Sequence, residues 1–172
     1  MQRYFVKNIE NERVIFESSD IHHIKNVMRM NIDEIIECVY NGELYKAKIE
    51  SLDPLNVKII EKKESLKTNK PYTIMIIPLL IEQKMDYILQ KSTELGVDEI
   101  HIYEAVRSKI KLDGEKYNKK VNRWSKICKE ASEQSKRNTI PIVTNVINFK
   151  DIINYLYSLE ITKFKIQVSS SI

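Results

Sequence analysis

PYTIMIIPLLIEQKMDYILQKSTELGVDEIHIYEAV, residues 71–106, decides the fold. YTIMIIPLL is a continuous apolar run, the pattern of a strand buried on both faces of a sheet. From about Glu82 the period changes. Met85, Ile88, Leu89 and Leu95 recur at helical spacing, and Gly96 stands where a helix can end in a left-handed residue. DEIHIYEAV is strand-like again. Strand, helix and strand in succession imply a parallel α/β unit. The alternation continues through a long helix, the strand PIVTNVI, the helix FKDIINYLYSL and the strand KFKIQVS.

Upstream the grammar differs. RYFV and RVIF read as short strands separated by the turn-forming KNIENE. EIIECVY and ELYKAKIESL flank Asn41-Gly42, a type I′ hairpin signal because both central positions need positive φ. LNVKIIEKK is a further strand after Asp53-Pro54. One helix interrupts this run, with Asp20 as a plausible N-cap and Ile21, Ile24, Val27 and Met28 as its apolar stripe. Several short strands with one helix suggest a small β-barrel. The polar EKKESLKTNKP reads as a linker. The chain is therefore expected to be a two-domain α+β protein, with a barrel over residues 1–68 and an α/β domain over 72–172.

The 172 residues carry a net charge of +4, distributed unevenly. Ala105 to Arg137 holds eleven Lys or Arg against four acids, a surplus of seven, so the remainder carries −3. Such a segment suits an anionic partner such as RNA, and equally a solvated lysine-rich helix face. No apolar run approaches the roughly 20 residues that span a bilayer. MQRYFVKN lacks a signal-type apolar region, so the expected location is cytoplasmic. Cys38 and Cys128 lie far apart and read as reduced, buried thiols. With three scattered histidines, no metal site is expected. The only glycines are Gly42, Gly96 and Gly114, so neither a GxGxxG turn nor a P-loop is present.

Four groups of polar residues stand out. The first helix offers His22, Lys25, Asn26 and Arg29 within two turns, a side that suits phosphates or plain solvent. Lys84, Lys91 and Glu94 lie opposite the apolar stripe of the next helix. Arg107, Lys109 and Lys111 alternate along the loop after the second strand of the α/β unit, where ligands of parallel sheets bind. The fourth group is RWSKICKEASEQSKRNTIP, residues 123–141. Lys116, Lys120 and Arg123 share one face of its helix, with Arg137 further along, over a length of roughly 30 Å. Cations suit a helix C-terminus, which accounts for Lys136 and Arg137. Glu133 is disfavoured there, so Glu133, Gln134, Arg137 and Asn138 read as the wall of a pocket.

HHIKNVMRM, QKMDYILQKSTELGV, VRSKIKLDG and RWSKICKEASEQSKRNTIP, in this order, resemble the ribosomal RNA small subunit methyltransferase E family. The resemblance spans nearly the whole chain. It implies a PUA-like β-barrel followed by a SPOUT methyltransferase domain, and S-adenosylmethionine-dependent methylation of uridine N3 in 16S rRNA of the small ribosomal subunit. It further implies Glu133 as acceptor of the N3 proton, with Arg107 or Arg137 stabilising the charge left on the base. Arg3, His22, Lys25, Arg29, Lys84, Lys91, Lys109, Lys120, Arg123, Gln134 and Asn138 become the rRNA contacts. The family continues through glycine-rich segments that form a trefoil knot, hold the cofactor and support a homodimer. Nothing similar occurs here, so the α/β domain is expected to be partial, without cofactor-binding residues and inactive alone. The alternative is a remnant that binds rRNA without methylating it; a third reading is a poorly folding fragment with an exposed strand edge.

Overall fold

A computed structural model describes residues 1–64, 70–105, 114–144 and 148–158. In the N-terminal part, β1 (Arg3–Phe5), β2 (Asn8–Glu10), β3 (Arg13–Ile15), β4 (Ile35–Tyr40), β5 (Glu43–Leu52) and β6 (Leu55–Lys63) form one sheet in the order β1-β4-β5-β6-β3-β2. Its two edges, β1 and β2, are consecutive in the chain. Val6 N–H donates to Val39 O at 3.0 Å, and Lys7 N–H donates to Ile15 O at 2.9 Å. The chain thus changes partner between two residues and curls the sheet into a barrel, as expected. Tyr4, Ile24, Ile36, Cys38, Ala47, Ile49 and Val57 fill it. Burial pushes the Cys38 thiol up to about 12.

Asn41 (φ 49°) and Gly42 (φ 79°) make the expected type I′ turn between Tyr40 and Glu43. A second turn of this kind joins β2 to β3 through Asn11 (φ 49°) and Glu12 (φ 64°). KNIENE is therefore half strand rather than all turn, because the glutamate at the second position conceals the hairpin. The helix α1 (Ser18–His22) starts after Glu17, so Asp20 is not its N-cap. It passes into a wider π-turn, His23–Val27, in which Met28 N–H reaches back to His23 O at 2.8 Å. The wider turn rotates Val27 and Met28 off the core and leaves both exposed, while Ile24 stays buried.

The second sheet contains β7 (Ile74–Pro78), β8 (Glu99–Tyr103) and β9 (Ile142–Val143), all parallel, in the order β7-β8-β9. α2 (Glu82–Glu94) connects the first two strands, α3 (Gly114–Gln134) precedes β9, and α4 (Phe149–Ser158) follows it. β7 is an edge strand among the described residues and only Ile77 on it is fully buried, so its apolar run overstates its burial. Ile100 and Ile102 of β8 pack with Met85, Leu89, Trp124 and Cys128 against α2 and α3. Glu99 and His101 alternate to the other face, where Tyr155 of α4 donates to Glu99 at 3.1 Å. Gly96 (φ 94°) ends α2 as expected: Gly96 N–H reaches Thr93 O and Val97 N–H reaches Ser92 O, both at 3.0 Å. KFKIQVS and much of the linker lie outside the described residues.

Candidate functional site

The polar cluster at the end of α3 is built by a helix-terminating turn. Arg137 N–H donates to Ser132 O at 2.9 Å and Lys136 N–H to Glu133 O at 3.4 Å, with Lys136 left-handed at φ 61°. This is the arrangement seen after α2, here with lysine where glycine is usual. The turn directs successive carbonyls at the barrel. Arg3 of β1 meets them: its Nη1 donates to Asn138 Oδ1 at 2.9 Å, to Arg137 O at 3.2 Å and to Lys136 O. Its Nε donates to Glu37 on β4 at 2.9 Å. Arg3 is only 6% exposed. It is engaged inside the protein rather than offered to RNA.

Glu133 faces the same junction. Its carboxylate accepts Phe5 N–H at 3.1 Å and lies 3.2 Å from Lys129 Nζ, which donates to Asp20 of α1 at 2.6 Å. Burial raises the Glu133 pKa above the usual carboxylate range, against the pull of Lys129 and of the Phe5 amide. Burial alone would lower the Lys129 pKa, but Asp20 and Glu133 outweigh it and hold the ammonium above its usual value. Asp20 Oδ2 and Ser132 Oγ are buried without a hydrogen-bond partner.

Arg137 turns the other way. Its Nη1 donates to Thr93 O and Val97 O, both at 2.7 Å, and thereby satisfies carbonyls at the end of α2. Burial lowers its pKa from the usual arginine value, although Asp98 lies 3.5 Å away. Asp98 feels burial too, but Lys70 at 2.6 Å, the Thr73 amide and Arg137 together hold its pKa low. Gln134 is exposed, and Asn138 is occupied by Arg3. The structure therefore brings Glu133, Arg137 and Asn138 together at a junction between elements.

An open cavity of about 220 Å³ lies elsewhere, where β7 ends and α2 begins. Leu79, Leu80, Glu82, Met85, Lys120 and Trp124 contribute to its wall. Glu82 lies 3.4 Å from Lys120 and 3.1 Å from Arg123, and Arg123 also grips Asp86 with both nitrogens, at 2.7 and 2.5 Å. Lys120 and Arg123 thus tie α3 to α2. The rule that ligands bind at the carboxyl ends of parallel strands points to this place. In the sequence this place is hidden, because Leu79 and Leu80 look like the end of a buried strand. Arg107 and Lys109, expected nearby, lie outside the described residues.

The remaining expected contacts are spread over the surface. His22 pairs with Asn26 at 2.8 Å, Lys25 reaches Asp53 at 3.3 Å, and Arg29 is exposed with φ 49°. Lys84 is exposed beside Tyr87, and Lys91 pairs with Glu94 at 2.7 Å. Among the described residues, Arg29 and Lys84 are the expected cations that are exposed and carry no ion pair. The lysines of β5 and β6 are balanced by acids, as in Lys46–Glu61 and Lys62–Glu43 at 3.4 and 2.7 Å.

Comparison with known proteins gives these positions a context. Residues 67–167 match the family described as RNA methyltransferase domain, and residues 16–62 match the RNA methyltransferase PUA domain. Ribosomal RNA small subunit methyltransferase E of Bacillus subtilis is 37% identical over 169 residues, covering 93% of this chain and 66% of that protein. The Mesomycoplasma hyopneumoniae protein of the same name is 31% identical, over 89% of this chain and 66% of its own length. The Neisseria gonorrhoeae enzyme of that name, solved bound to S-adenosyl methionine, superposes with a TM-score of 0.79 at 30% identity, over 90% of this chain and 65% of that one. The chain thus spans just under two thirds of the length of these relatives. With a PUA-like barrel leading into a parallel α/β unit, and matches across both, the chain belongs to the RNA methyltransferase family whose relatives are named ribosomal RNA small subunit methyltransferase E.

Proposed function

We propose that the whole protein transfers a methyl group from S-adenosylmethionine to N3 of a uridine in 16S rRNA, acting on the small ribosomal subunit in the cytoplasm as a homodimer. The observation that carries this is the match across both parts of the fold to a relative solved with that cofactor bound. The 172 residues correspond to a barrel, residues 1–68, and the first part of the catalytic domain, residues 72–172. For these residues themselves we propose the RNA-recognition share of the reaction.

The glycines support that division. Gly42 forms a hairpin turn, Gly96 ends α2 and Gly114 opens α3. Each therefore has a role in a turn or at a helix end. We place the cofactor-holding residues outside this chain. On the substrate side, removal of the N3 proton needs an acceptor and the resulting anion needs a cation. Glu133 holds Lys129 and the Phe5 amide on the same oxygen, Oε1, and Arg137 is engaged with the end of α2. Glu82 and Lys120 already meet at an open cavity. Exposed Arg29 and Lys84 supply sequence-independent attraction. The test is transfer of a labelled methyl group from S-adenosylmethionine to 16S rRNA, with the modified base located by mass spectrometry. Binding of 16S rRNA by this chain without transfer supports the division. Transfer by this chain alone, or modification at another base, refutes the corresponding part.

A further inference from the structure

The barrel and the α/β unit have separate hydrophobic cores, and among the described residues no residue belongs to both. Directional, polar contacts join them. Arg3 links Glu37 to the exit of α3, Glu133 takes the Phe5 amide, and Lys129 bridges Glu133 to Asp20. A Cβ at Gly42 would lie 4.0 Å from the Asn138 carbonyl oxygen, so the β4–β5 turn also abuts this exit. Apolar faces can slide; hydrogen-bonded ion pairs hold one geometry. Such pairs are weak stabilisers compared with well-packed apolar residues, and Asp20, one of the paired residues, keeps its Oδ2 buried without a hydrogen-bond partner. A left-handed lysine adds strain at the same place. This is a poor way to maximise stability and an effective way to fix an angle.

We propose that Arg3, Lys129 and Glu133 are positioning residues. They lock the barrel onto the α/β unit at one orientation, so that a folded RNA touching both is held in register with the cavity between β7, α2 and α3. The RNA part rests on the functional reading above; the lock itself does not. Rigid presentation of two binding surfaces raises affinity for a ligand that reaches both and leaves a ligand that reaches one unaffected.

The experiment measures orientation and RNA length dependence in the same full chain. Cys38 and Cys128 are buried, so spin labels can be placed selectively at Glu50→Cys on the barrel and Gln90→Cys on α2. The unaltered junction should give one narrow distance distribution. Arg3→Met should broaden it while Trp124 emission shows the α/β core intact, and Lys129→Met serves if the first variant fails to fold. Affinity for a 16S rRNA hairpin reaching both units should fall roughly 10- to 100-fold, with affinity for an oligonucleotide of about 6 nucleotides unchanged. Narrow distributions in both variants overturn the lock. Broad distributions with equal losses for long and short RNA overturn its role in RNA placement. If the unaltered chain binds neither RNA, the functional reading fails while the distances still decide the lock.

Discussion

Replacing Arg3 with methionine keeps most of the apolar stem and removes the guanidinium. Glu37 loses its 2.9 Å partner, and Lys136 O, Arg137 O and Asn138 Oδ1 lose a donor. Breaking a buried ion pair by removing one member costs about 3–5 kcal/mol. Glu37 is 15% exposed and keeps Lys136 at 3.6 Å, which places the loss near the lower end, about 3 kcal/mol. For a chain of this size that is a fall in Tm of about 6–12 °C. The two parts of the fold should also come apart in their unfolding. Trp124, the sole tryptophan, is buried in the α/β core and reports that unit, while hydrogen exchange of β4 and β5 reports the barrel. In the unaltered protein the urea transitions from both probes should coincide. In Arg3→Met they should separate. A loss below about 1 kcal/mol with coincident transitions would refute the reasoning, since it would make Arg3 no more than a surface ion pair.

Other outcomes follow from the same contacts. Glu133→Gln should cost about 1 kcal/mol in urea unfolding, because Lys129 retains Asp20; if Glu133 also serves as the proton acceptor, the whole protein carrying the substitution would lose methyl transfer as well. Lys136→Gly should relieve about 1 kcal/mol of left-handed strain, partly offset by backbone entropy, and raise the urea midpoint slightly. A lowered midpoint would show that the lysine's contacts to Glu37 and Met1 O outweigh the strain. Glu37 and Asp98 have lowered pKa values in the folded protein, so their contribution is present above the ordinary carboxylate range and lost as pH falls through the folded values. Glu133 is raised, so its contribution is present below that range and lost as pH rises through its folded value. Urea midpoints measured from about pH 6 to about pH 3 should decline toward acid, and Glu37→Gln should flatten that decline.

What could be read from the sequence was local chemistry. Asn41-Gly42 and Gly96 declare their turns through residues that tolerate positive φ, and the 3.6-residue period places α2 and α3. Asn11-Glu12 makes the same turn without the glycine signal and was hidden. Val27 and Met28 fit a helical stripe, yet the π-turn breaks the period that the stripe assumes. The junction residues were recognisable as unusual but not as a junction. Glu133 meets Phe5 across 128 positions, Lys129 meets Asp20 across 109, and Arg3 meets Asn138 across 135. A carboxylate near a helix C-terminus signals that something compensates it. Only the tertiary arrangement shows that the compensation is a lysine on the same helix and an amide of β1.

Titration of a labelled 16S rRNA fragment with this chain at about 50 and about 200 mM salt tests the RNA-recognition proposal most directly. With about four phosphates contacted on a single-stranded segment, affinity should fall roughly 50-fold between the two conditions. Affinity that does not change with salt, or no binding at the lower concentration, would contradict it.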